Sequence, residues 1–174
     1  IIQGRFEVGD EIEIRPGIKV ETRRGAVRYE PVITEIVSLR SGTQDLEVAY
    51  PGGLIGVGTK LDPSVTKSDN MMGNVVGRPG SMPPVLHEIT VEYSLLERVV
   101  GLEKEIRVEP LRRGELLMLN VGTAVTIGLV RGLRGDEADL LLRIPIAAYP
   151  GMKLAISRQI GGRWRLIGYG RIRG

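Results

Sequence analysis

Short stretches of strict alternation run the length of this chain. In residues 11–14, Ile12 and Ile14 fall on one face and Glu11 and Glu13 on the other, which predicts a half-buried strand with both carboxylates toward solvent. Residues 32–39 (VITEIVSL) predict a second strand. Residues 87–95 (HEITVEYSL) alternate with apolar side chains mainly at odd positions. That phase sets His87 beside Ile89 and Val91, toward the core. Further extended segments are predicted at 46–50, 54–57, 74–77, 116–121, 123–130, 138–144, 153–157 and 164–172.

Turn residues separate these runs. Arg15-Pro16-Gly17 is predicted to end the first strand, residues 40–45 to turn, and Arg113-Gly114 to turn again. Residues 19–30 (KVETRRGAVRYE) are charged around Gly25 and read as a long hairpin or protruding loop. Residues 98–107 leave room for a helical turn. No amphipathic helix and no internal repeat emerges. Ser81-Met82-Pro83-Pro84 reads as a linker, because paired prolines end a ladder and stiffen the chain. The expectation is therefore an all-β chain of two consecutive small barrels, residues 1–84 and 85–174. Closure would remove the exposed edges of such short strands.

Composition agrees with this class. The 174 residues are 42% hydrophobic and 26% charged, enough for a core, and 24 glycines with 10 prolines suit many short strands. With no cysteine and one histidine, thiolate metal sites, disulfides and cysteine nucleophiles are excluded. No apolar run reaches the roughly 18 residues of a membrane helix. The chain opens without methionine on Ile1-Ile2-Gln3-Gly4, as if inside a strand, and reads as a piece of a longer protein. Residues 1–84 carry ten basic and eleven acidic side chains, residues 85–174 fourteen and ten. The last seventeen residues hold Arg158, Arg163, Arg165, Arg171 and Arg173 without an acid, a pattern compatible with phosphate contact or with solvated strand faces.

Candidate chemistry is sparse. Gly53 and Gly58 bracket four residues before Thr59-Lys60, but a phosphate loop needs Gly-Lys-Ser/Thr and a following helix, and Leu61-Asp62-Pro63 follows instead. The pairs Glu11 with Glu13 and Glu103 with Glu105 are predicted to be solvated strand faces, not hydrolytic acids. No catalytic and no metal-ligating set is expected.

Several longer strings carry a resemblance. They include residues 8–17 (VGDEIEIRPG), 51–63 (PGGLIGVGTKLDP), 75–80 (VVGRPG), 114–123 (GELLMLNVGT) and 162–170 (GRWRLIGYG). The chain resembles the second and third domains of the gamma subunit family of archaeal and eukaryotic translation initiation factor 2. Elongation factor Tu and the selenocysteine-specific factor share the architecture, and the latter is the alternative parent. PGGLIGVGT and RWRLIGYG favour the initiation-factor family. The resemblance implies a cytoplasmic translation factor whose GTPase domain, with its GTP and magnesium, lies outside these residues. It implies no cofactor and no enzyme activity for this chain, and no membrane.

It also implies partners. Methionylated initiator tRNA would dock on the first barrel at Gly53, Leu54, Ile55, Gly56, Val57 and Gly58. The glycines would admit a terminal base, and the aliphatic residues would wall an apolar slot. Arg15, Lys19 and Arg78 would contact phosphates. The alpha subunit would dock on the first barrel at Glu21, Arg23, Arg24 and Arg28, with residues 40–45 as the second candidate surface. The beta subunit would bind the GTPase domain. The small ribosomal subunit is the remaining partner. The second barrel would pack on the first and on the GTPase domain.

Overall fold

The computed structural model describes residues 1–21, 27–101 and 106–173. The chain divides into two compact units, Ile1–Met71 with Val75–Met82, and Met72–Asn74 with Pro83–Gly174. The all-β class holds in both.

The first unit carries strands β1 (Phe6–Glu7), β2 (Glu11–Glu21), β3 (Val27–Ser41), β4 (Gln44–Leu46), β5 (Val48–Ala49), β6 (Gly56–Thr59) and β7 (Val75–Gly77). β3 is the hub. It pairs antiparallel with β2, β4 and β6, while β7 extends the sheet beyond β2 and β1 pairs with β5. The ladders among the described residues thus form two sheets, not one closed ring. Ile12, Ile36, Leu39 and Ala49 come from both sheets and are almost fully buried together, with Phe6, Leu46 and Ile55 against them.

Three expectations change here. Arg15-Pro16-Gly17 does not end the strand, because β2 runs through it to Glu21. The register shifts between the pairs Ile14–Val32 and Ile18–Glu30. Pro16 has no N–H to offer a ladder, and an irregular stretch needs none there. Residues 40–45 are mostly strand rather than turn: Arg40 pairs with Asp45 and Ser41 with Gln44, leaving only Gly42 and Thr43 to reverse the chain. Leu54 and Ile55 precede β6 instead of lying in it. One element went unanticipated, a kinked 3-10 segment at Pro63–Asp69. Its signal was legible: Asp62 accepts a hydrogen bond from the Ser64 N–H at 2.8 Å, with Pro63 opening the first turn.

The second unit is a closed barrel of β8 (Val85–Leu95), β9 (Leu116–Val121), β10 (Ala124–Arg134), β11 (Glu137–Ala147), β12 (Lys153–Ile160) and β13 (Arg163–Ile172). Their order around it is β10-β11-β8-β13-β12-β9, with β9 returning to β10. Ile89, Val91, Leu117, Leu119, Leu140, Ile156 and Ile167 fill the interior, each at most 2% exposed. β10 carries a register shift in which Arg131 is the extra residue, since Val130 pairs with Leu140 and Gly132 with Asp139.

A larger irregularity lies in β11. Glu88 pairs with Leu141, but Leu86 pairs with Ile146, so residues 142–145 bow out of the ladder with β8. Buried Thr126 repairs the bow: its hydroxyl donates to the Ile144 carbonyl at 2.8 Å and accepts from the Ile144 N–H at 3.1 Å. His87 stands opposite this bow. It is exposed, contrary to the alternation that placed it in the core, at the point where the ladder with β11 is interrupted. The helical turn expected within 98–107 is also corrected at its described ends. Arg98 and Arg107 form an antiparallel bridge, and the Val99 N–H donates to the Ile106 carbonyl at 2.9 Å. Residues 102–105, with Glu103 and Glu105, lie outside the described residues.

Candidate nucleic-acid interface

The clearest built feature of the first unit starts from four residues, Arg78-Pro79-Gly80-Ser81. The Arg78 carbonyl accepts from the Ser81 N–H at 3.1 Å and from the Ser81 hydroxyl at 2.7 Å. Pro79 supplies the fixed φ of the second turn position, and Gly80, at φ +77°, supplies the left-handed third. This is the chemistry of a type II turn. It follows β7 and leaves the Arg78 side chain exposed, with no ion pair among the described residues.

The turn is tied down by Glu13. Its Oε2 accepts from the Gly80 N–H at 3.2 Å, and its Oε1 accepts from Arg15 Nε and Nη2, both at 2.6 Å. Glu13 is 5% exposed, whereas alternation had placed it in solvent beside Glu11, which is exposed. The strand face is as expected; what covers it is not. Ile33, its neighbour across the β2–β3 ladder, is 57% exposed on that side. Met82 also folds back over this face, since a Cβ on Gly77, the other ladder neighbour of Glu13, would lie 2.3 Å from its sulfur. The Arg15 guanidinium, followed by the Gly80 N–H, holds the Glu13 carboxyl below its ordinary value.

The remaining predicted residues are placed as follows. Arg15 is half-buried and committed to Glu13, so its charge is largely compensated. Lys19 is exposed, 4.0 Å from Glu21. Gly53 and Gly56 are exposed, and Leu54 is 90% exposed. Val57 is half-exposed, but Ile55 turns toward the first unit's core. Gly58 serves the sheet itself: a Cβ there would lie 2.3 Å from the Ser38 hydroxyl on β3. Of the three aliphatic residues, Leu54 and Val57 are thus exposed and Ile55 packs on the core. Glu21 and Arg28 sit on the β2–β3 hairpin, Arg28 paired with Glu30 at 2.5 Å. Arg23 and Arg24 lie outside the described residues.

Sequence reasoning missed Glu13, Gly80 and Ser81 as members of this surface. The Pro-Gly pair signalled the turn. Nothing local signalled its anchor, which lies 67 residues earlier.

A family model described as initiation factor eIF2 gamma, C terminal, matches residues 87–172. Translation initiation factor 2 subunit gamma of Pyrococcus horikoshii is 63% identical over 173 residues, 99% of this chain and 42% of that relative. The protein of the same description from Methanocaldococcus jannaschii is 58% identical over 174 residues, 100% of this chain and again 42% of the relative. That of Aeropyrum pernix is 55% identical over 173 residues, with 99% and 42% covered. The chain thus spans about two fifths of the length of these relatives, 42%.

Proposed function

The chain belongs to the gamma subunit family of translation initiation factor 2, and from that premise we propose that its first unit contributes an RNA-docking surface for methionylated initiator tRNA. The observation that carries the proposal is Arg78, an exposed arginine without an ion pair among the described residues, held on a fixed turn. Such a group meets a phosphate or stacks on a base at little ordering cost. Lys19 adds an exposed charge further along β2, and Arg15 acts through its ion pair more than through free charge.

The same reading makes the described part of the β2–β3 hairpin, with Glu21 and Arg28, the docking place of the alpha subunit. It assigns GTP, magnesium and the beta subunit to the part of the family protein beyond these residues, and gives this chain a binding role in the cytoplasm. The second unit packs on that remaining part. In support, Leu116, Leu129 and Leu141 are register partners across three strands with outward side chains, and Leu116 is 56% exposed.

The test is retention of methionylated initiator tRNA by the intact GTP-loaded gamma subunit. Arg78→Ala is expected to weaken it about tenfold and to lower the salt dependence by about one phosphate contact. Unchanged affinity would overturn the assignment. Replacing residues 20–29 by a short Gly/Ser loop is expected to abolish alpha-subunit capture in a pull-down while leaving tRNA affinity unchanged.

A further inference from the structure

We propose that Glu13 is a positioning residue for RNA contact: its carboxylate fixes the 78–81 turn and so aims Arg78 at the nucleic acid. The inference rests on the reading of this surface as an RNA-docking site and adds the device that makes it work.

Glu13 lies on the outward face of β2, next to a half-exposed isoleucine, so no core needs it. Burial of a carboxylate on such a face is unfavourable in itself, and an apolar side chain of similar size would cover the strand more cheaply. The acid is tolerated because both of its oxygens have donors. Arg15 occupies Oε1 through two nitrogens, and the Gly80 N–H occupies Oε2.

The consequence falls on the turn. A type II turn fixes its own backbone but not its angle to the strand it follows. One N–H donated to a buried anion fixes that angle. Gly80 is next to Pro79 and two residues from Arg78, so the clamp acts two peptide bonds from the arginine. Arg15 completes the device from the other side: it neutralises the carboxylate, so that Arg78 approaches a phosphate without a bare acid behind it. Arg15 is therefore the partner of the clamp, and Arg78 is the group offered outward.

The Arg78→Ala background separates positioning from stability. In the intact gamma subunit, Glu13→Leu and Glu13→Gln are expected to lower the unfolding midpoint, since Arg15 and the Gly80 N–H lose their acceptor, and to weaken methionylated initiator tRNA about three- to fivefold. Amide exchange at Gly80 is expected to accelerate in both. In an Arg78→Ala background the same Glu13 substitutions are expected to cost nothing further, since the residue they position is gone. Gly80→Ala provides a second route. Its Cβ meets nothing within 4 Å, but φ +77° disfavours a side chain, so it loosens the turn without touching the buried acid. It too is expected to weaken binding, and to fall silent with Arg78→Ala.

Losses that add in full to those of Arg78→Ala would overturn the proposal, because Glu13 would then act independently of the arginine. Wild-type affinity in Glu13→Leu and Glu13→Gln would also overturn it, while leaving the RNA-docking reading intact. An Arg78→Ala variant of wild-type affinity would overturn the reading and the proposal together.

Discussion

Gly17 shows how much one residue can decide. It sits at φ +99° where β2 and β3 change register, and a Cβ there would lie 1.7 Å from the Glu30 carbonyl oxygen and 2.7 Å from Pro31 Cα. Those neighbours are backbone and cannot turn aside. Gly17→Ala is expected to destabilise the first unit by about 3–5 kcal/mol, read as a loss of its thermal transition. Glu13 gives a residue-scale effect of pH. Its carboxyl is lowered in the folded chain by the Arg15 hydrogen bonds, against an ordinary value of 4.5. The stabilisation it brings is therefore complete above that value and is lost as pH falls through the lower folded one. The Gly80 amide is expected to be well protected from exchange at neutral pH and to lose protection on acidification below 4.5, while Glu13→Gln shows no such dependence. That these two residues matter was not legible in the sequence. Gly17 looked like an ordinary turn glycine, and Glu13 looked like a solvated acid.

At the scale of elements, the approach to β9, residues 109–115, is secured by Arg158. Arg158 on β12 gives Nε and Nη2 to the Glu115 carboxylate, its Nη1 to the Glu109 carbonyl at 2.9 Å and its Nη2 to the Pro110 carbonyl at 3.1 Å. Glu115 also accepts from the Arg112 N–H at 3.1 Å. Both charged side chains are less than a fifth exposed, 16% and 17%. Removing one partner strands the other, so Arg158→Ala is expected to cost about 2–4 kcal/mol by denaturant titration. Arg158→Lys is expected to recover less than half, because an ammonium lacks the planar fork that reaches two carbonyls and a carboxylate. The strands themselves were legible from alternation, though β2 and β3 run well past the predicted 11–14 and 32–39. The bulges were not, because they compensate differences in length between neighbouring strands and have no counterpart in either strand alone. His87 is the cost of that: its parity was right for a regular ladder and wrong beside the bow at 142–145.

At the scale of the whole molecule, the second unit satisfies its own strand edges. Every strand of its ring has two neighbours, and its seventeen buried core residues come from that unit alone. A polypeptide of residues 72–174 is therefore expected to fold by itself, with a β-type circular dichroism spectrum and one cooperative melt. A sloping, non-cooperative melt would count against an independent barrel.

The residue pattern along the chain was enough for the all-β class, most strand positions and membership of the family, through strings such as PGGLIGVGT and RWRLIGYG. These are local properties: side-chain parity, φ preference and residue identity are each carried within about ten positions. Packing between distant segments is what buries Glu13, makes Gly58 leave room for Ser38 and leaves His87 exposed. The physical reason is the same in all three. Parity says which side of a strand a residue points to, but what lies on that side is supplied by another segment, as far away as the 67 residues between Glu13 and Gly80.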